Sequence, residues 1–388
     1  MDGTKPISEK DLRNWKLLED FQTALDHVYR AEGQHPTFDD PRRKLTYSRY
    51  LSLLLFGLFN PVVKSMRALC AASRLPRVQE EICGVPVSLG SFSETQRVLD
   101  PELLHQVFTQ LAAQVPGLAQ GDPRLARLNL VAQDGSLWRA LPRMAWAEYG
   151  VGCKGDANGV RLHLRFHLHS QAPIDARVDV GKSCERKALR QMCQPGQTSV
   201  GDRCYGGDYR LFYQIERAKG FFVFRIKDTA VVHVDQELPL TQADRDANVV
   251  RHAWVYLGAT DMLRSIRVRL IEIRTATDHL LLVTNWSAEA VPAELVSAIY
   301  RQRWSIELFF RWIKCILGCR HFFAESPQGV AIQLYLALIA AVLVQLWTGR
   351  RPSKRTMELI QFFQMGWATQ EDLERLLPKY AALKTKKA

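Results

Sequence analysis

The chain has 388 residues, 47% apolar and 24% charged, which excludes a disordered protein and allows two or three domains around a sizeable core. Its 52 Lys and Arg against 40 Asp and Glu give +12, a balance that favours a polyanionic partner, nucleic acid or an anionic membrane. Eight scattered cysteines without a CxxC pair and a charged N-terminal stretch that reads as no signal peptide suit a reduced, cytoplasmic chain.

Residues 1–40 carry nine acids against five Lys and Arg; from Pro41 to Gln79 there are eight Lys and Arg and no acid. Apolar residues at Leu51, Leu54, Leu55 and Leu58, and then at Val62, Met66 and Leu69, predict helices punctuated by Pro61, Pro76 and Pro86. Residues 93–115 continue helical, with Ser93 or Thr95 as the cap. A helical unit with a basic surface is a candidate DNA-contacting module. Gly117 to Asp122 reads as a linker.

Beyond it the texture changes. Residues 128–136 form a short apolar run ending at Asp134. Residues 161–170 alternate: Leu162, Leu164, Phe166 and Leu168 face one side, and Arg161, His163, Arg165, His167 and His169 the other. This is a half-buried strand with a polar outer face; its arginines argue against a metal site at the histidines. Residues 173–181 supply another strand and 183–192 a helix. A strand end at Val200 places Asp202 at its tip, followed by a helix over Tyr209–Arg217 and a strand over 221–227. Strands and helices in this order predict an α/β sheet, whose sites lie beyond strand ends. Residues 229–283 are strand-rich again and read as a β insertion. Val330–Trp347 is 18 residues long and almost wholly apolar, the minimum for a membrane span; a buried core helix suits a chain with no other membrane feature. Residues 350–388 are basic, with a capped helix over 368–377 and a frayed tail.

Ile299–Lys314 organises these parts. At about 100° per residue, Tyr300, Arg303, Glu307 and Lys314 share one helical face with Trp304 and Arg311, opposite Ile306, Leu308, Phe309, Trp312 and Ile313. One carboxylate stands among cations and aromatic rings. With Asp134 and Asp202 it completes an ordered carboxylate triple. Two aspartates at strand ends and a helical glutamate can hold two Mg²⁺ ions, with Mn²⁺ as a substitute. Mg²⁺ takes a few carboxylates together with water and phosphate oxygens, and two such ions serve phosphodiester displacement. The cations beside Glu307 would position a DNA backbone.

The spacing Tyr-x2-Arg-x3-Glu-x6-Lys, met by Tyr300, Arg303, Glu307 and Lys314, resembles the signature of DDE transposases from a large family of bacterial cut-and-paste insertion sequences. DGS at 134–136 and DRCY at 202–205 look like that family's two aspartate motifs, and LLVTNW at 281–286 resembles the segment closing its β insertion. The resemblance implies an RNase H-like mixed sheet flanked by helices, interrupted by a β-rich insertion and preceded by an N-terminal helical DNA-binding domain. The corresponding division is 1–125 (DNA binding), 126–227 and 287–350 (catalytic), 228–286 (insertion) and 351–388 (basic tail).

The resemblance further implies that Asp134, Asp202 and Glu307 are catalytic and bind metal, and that Tyr300, Arg303 and Lys314 contact the DNA end, with Arg311 on the same face. A homodimer on paired double-stranded ends would nick DNA, form and reopen a hairpin, and join the 3′-OH to target DNA beside the nucleoid. Trp254 and Trp286 are candidates for stacking on a flipped base. Where the family carries glycine this chain has Cys204, which predicts a strained turn or a displaced Asp202. The alternatives are a transposase-derived DNA-binding protein without catalysis and a metal-dependent nuclease of the same fold.

Overall fold

A computed structural model describes residues 16–31, 44–118, 122–147, 158–259 and 267–385. The acidic and basic N-terminal runs fall partly outside these residues, and the end of the C-terminal tail falls wholly outside them. In chain order the elements used below are α1 (Lys16–Ala31), α2 (Tyr47–Phe59), α3 (Leu89–Val98), α4 (Pro101–Ala113), β1 (Leu130–Arg139), β2 (Gly159–His167), β3 (Ala172–Val180), α5 (Glu185–Met192), β4 (Thr198–Gly201), α6 (Arg203–Gly206), α7 (Tyr209–Arg217) and β5 (Phe221–Arg225). There follow β6 (Val232–Glu237), β7 (Val249–Leu257), β8 (Arg267–Arg274), β9 (His279–Thr284), α8 (Ala293–Gln302), α9 (Trp304–Arg311), a π-helical turn over Trp312–Ile316, α10 (Pro327–Thr348) and α11 (Lys354–Gln364).

The chain divides into two compact units: 1–116 with 138–160 and 309–388, and 117–137 with 161–308. The first is helical. Asp100 caps α4 by accepting from Glu102 N, with Pro101 in the first turn; Ser326 caps α10 by accepting from Gly329 N, with Pro327 in the first turn. Such sequences start helices because the cap oxygen meets an orphan N–H and proline has no N–H to lose. Gly349, at φ +63°, ends α10 in the left-handed conformation. Helix α10 is long and apolar enough to cross a membrane, but 89% of its apolar window is buried in the protein. It packs on α1, α2, α3 and α4, so it is the unit's core helix.

The second unit holds most of a nine-stranded sheet of order β3-β2-β1-β4-β5-β9-β8-β7-β6. Strands β1, β4 and β5 are parallel, β9 joins β5 antiparallel, and β6 to β9 continue antiparallel. The β-rich insertion thus extends the sheet. Helix α7 buries Leu211, Phe212 and Ile215 on Phe222 and Phe224, with the rings of Phe212 and Phe222 4.6 Å apart. Helix α8 packs on β4, β5, β7 and β8. This is the RNase H-like mixed sheet flanked by helices expected from sequence. Asn285 fastens the closing strand, accepting from Phe222 N at 3.0 Å and donating to Gly220 O at 3.1 Å. Arg269 of β8, wholly buried, donates to the carbonyls of Trp286, Ser287 and Val291 and to His252 Nε2. One buried guanidinium therefore satisfies the irregular backbone between the insertion and α8.

The polar side of β2 departs from the expectation of a solvated face. Arg165 and His163 are 2% and 3% exposed. Arg165 pairs with Asp175 and donates to Gln197, and His163 Nε2 meets Ser183 Oγ at 2.8 Å. Strand β2 lies inside the sheet, and the segment leading into α5 covers this face. Each of these side chains is buried with a partner, although His163 Nδ1 and Arg165 Nε make no hydrogen bond; alternation of residue types does not distinguish such burial from exposure.

Candidate metal centre

The registers of β1, β4 and β5 align three residues. Ala132 pairs with Val200, and Val200 with Val223. Two positions further on stand Asp134, Asp202 and Arg225, brought to one level because residues opposite one another in register keep the same level and face. Asp134 lies within β1 instead of after it, as the sequence reading had it; the strand runs on to Arg139. Asp202 follows β4 and caps α6, its Oδ1 accepting from Cys204 N at 2.8 Å.

Two glycines make this geometry possible. A Cβ on Gly206 would fall 1.9 Å from the Arg225 carbonyl oxygen, and one on Gly135 would fall 2.7 Å from Glu185 Oε1. Cys204 is not among the positive-φ residues of the chain. The strain expected there does not arise: position 204 is helical, and the close approach belongs to Gly206.

Asp134 accepts from Gly135 N at 2.8 Å. Burial, and then the Glu185 and Asp202 carboxylates, push its carboxyl up to about 7, against the pull of Gly135 N–H and Arg303. Burial also raises Glu185, which is paired with Arg161 of β2. Glu307, on α9, accepts from Arg303 Nη2 at 2.5 Å. The Arg303 guanidinium carbon lies 5.6 Å from the Tyr300 ring centroid, and its Nε is buried without a hydrogen-bond partner.

The expected single helix over Ile299–Lys314 is divided. Arg303 separates α8 from α9. Three-residue bonds, Arg303 N to Tyr300 O at 3.1 Å and Ile306 N to Arg303 O at 3.2 Å, tighten the junction. Tyr300, Arg303 and Glu307 remain together. Arg311 and Lys314 belong to the helical unit, where Arg311 is exposed and Lys314 Nζ lies 4.2 Å from the Trp138 ring centroid on the π-helical turn. A wide turn inserts an extra residue and so moves the face that follows. Of the tryptophans, Trp286 stacks on Phe221 at 3.6 Å and its Nε1 donates to Thr198 Oγ1; Trp254 lies under Arg267, which pairs with Asp235.

Among the described residues, no three His, Cys, Asp or Glu form a ready-made cage. A hard divalent cation does not need one. Mg²⁺ is held by one or two carboxylates with water and phosphate oxygens, and a desolvated Asp134 among other carboxylates suits it. Sequence reasoning missed Glu185 and Arg225; the equal two-residue offset from Val200 and Val223 is the signal that finds Arg225, while nothing in the sequence joins Glu185 to Asp134.

The raised Asp134 carboxyl has a consequence for stability. Its folded value exceeds the unfolded one of about 4, so the native state binds this proton more tightly. Its contribution to stability is full below about pH 4 and is lost as pH rises through about 7. His163 and His252, pushed down to about 4 chiefly by burial, act oppositely, losing stability as pH falls below their unfolded value. The clean readout is therefore the cation-free melting temperature of the wild type minus that of Asp134→Asn. This difference should fall between pH 5 and 8; a flat difference would contradict the raised carboxyl.

The fold is a mixed sheet flanked by helices, with Asp134 and Asp202 level on neighbouring parallel strands. A family model described as "Transposase DDE domain" matches residues 126–343, over half of the chain, and the chain belongs to that family. It is 30% identical over 222 residues to a probable transposase for insertion sequence element IS5377 of Geobacillus stearothermophilus, covering 57% of this chain and 56% of that protein. It is 30% identical over 216 residues to putative transposase y4zB of Sinorhizobium fredii, covering 54% and 58%. The chain thus spans somewhat over half the length of these relatives. A cryo-EM structure of the piggyBac transposase synaptic complex with hairpin DNA aligns over 95% of this chain and 80% of that one, at 10% identity and a TM-score of 0.43. Divalent metal is the general requirement of the family.

Proposed function

We propose that the chain is the transposase of an insertion sequence, cutting double-stranded DNA at terminal inverted repeats and joining the freed 3′-OH to target DNA. The observation that carries this reading is the placement of Asp134 and Asp202 at one level of two parallel strands within the segment that matches the transposase domain. Asp134, Asp202 and Glu307 would hold two Mg²⁺ ions, or Mn²⁺ in their place. When bound, the ions supply an activated attacking oxygen and stabilise the leaving oxygen.

The chain's own residues supply the rest. Asp202 is oriented as a helix cap, so its carboxylate is fixed before substrate arrives. Arg303 holds Glu307, and its buried unpaired Nε–H is a donor suited to a phosphate oxygen. Tyr300 supports that guanidinium from the side. Arg311 and Lys314 add cations for the backbone of the DNA end. Two copies would act on paired ends.

The test uses short, end-labelled duplex from the DNA flanking the gene, with Mg²⁺ and a plasmid target. Site-specific nicking, a hairpin and plasmid joining are expected. Cutting without joining would make the chain a nuclease, and binding without cutting a DNA-binding relative of transposases.

A further inference from the structure

We infer that Glu185 is a fourth carboxylate of the cation centre; this rests on the reading of Asp134 and Asp202 as cation ligands. Glu185 is the first residue of α5, reached by the chain as it leaves β3 and returns towards β4. Its side chain lies across Gly135: a Cβ there would come within 2.7 Å of Oε1 and 2.9 Å of both Cδ and Cγ. The residue after Asp134 must therefore lack a side chain for Glu185 to lie where it does. Arg161 fixes the carboxylate, donating to Oε1 through Nη1 and to Gly181 O through Nε at 3.1 Å. Both partners are largely buried, 17% and 16% exposed.

The charges bear on what this arrangement is for. The Glu185 and Asp202 carboxylates both bear on Asp134, a concentration of negative charge that a divalent cation would neutralise. A glutamate serving only as an anchor for Arg161 has no need to lie against Gly135, beside the buried aspartate. Glu185 would face the cation directly or through one of its waters, and Arg161 would hold it in that direction, as outer partners orient carboxylate ligands.

The test is Mn²⁺ binding to the full chain without DNA, followed by the electron-spin resonance of free Mn²⁺, together with the rise in melting temperature on adding Mn²⁺. Wild type, Asp134→Asn, Glu185→Gln and Gly135→Ala are compared. Asp134→Asn should abolish tight binding. Glu185→Gln should weaken it about tenfold and shrink the Mn²⁺-induced rise, while the amide still accepts from Arg161. Gly135→Ala, which pushes the Glu185 carboxylate aside, should weaken binding similarly and covers the case in which Glu185→Gln does not fold. Wild-type affinity in both variants, with binding lost in Asp134→Asn, would overturn the role of Glu185 and leave the centre intact. Absence of Mn²⁺ binding by the wild type would overturn the centre and this inference together.

Discussion

Asp134→Asn, Asp202→Asn and Glu307→Gln should each lower strand cleavage at the element's end by at least about 10³-fold, with DNA binding retained. Each amide preserves shape and removes one negative charge. For Asp202 the cap to Cys204 N survives, because an amide oxygen still accepts. For Glu307 the contact with Arg303 likewise survives as a hydrogen bond from the guanidinium to the amide oxygen. What is lost is the charge that attracts a divalent cation. A gel-shift assay beside the cleavage assay separates the two effects: unchanged binding with lost cleavage is the expected pair. A variant that cleaves within tenfold of the wild type would remove its residue from the centre.

The second large effect lies at Gly206. A Cβ there would stand 1.9 Å from the Arg225 carbonyl oxygen and 2.7 Å from its carbon. The obstacle is backbone, so no rotamer relieves it. Gly206→Ala must lift α6 away from β5, disturbing Tyr205, whose buried ring packs on Phe224. Asp202 caps the same four-residue helix and would move with it. The expected cost is about 3 kcal/mol, at the upper end for overpacking, read as a lower denaturation midpoint together with a loss of cleavage. Cys204→Gly, at an exposed helical position with no positive φ, should leave cleavage unchanged. Cleavage raised above the wild type in that variant would show the opposite.

Much of the fold was legible because its elements have strong local patterns. The helix over Tyr209–Arg217 stands where the sequence put it, and the strand-rich run from 229 holds β6 to β9. The apolar run from Val330 became a core helix because four other helices cover it. Other features depend on partners that no local pattern names. The polar face of β2 is buried because Asp175, Gln197 and Ser183 meet it. The division at Arg303 leaves the apolar and charged spacing of the segment unchanged, so a continuous helix fits the sequence equally well. The ordered carboxylates suggested a centre, but only strand register sets Asp134 level with Asp202, and only the return of the chain through α5 brings Glu185 to Gly135.

The most direct measurement replaces Asp134 with cysteine and compares end cleavage in Mg²⁺ and in Mn²⁺. A thiolate binds Mg²⁺ poorly and softer cations better. If Asp134 ligates the ion, Asp134→Cys should be inactive in Mg²⁺ and regain cleavage in Mn²⁺. Equal activity in the two ions, or inactivity in both with Asp134→Asn still cutting, would contradict a cation held by Asp134.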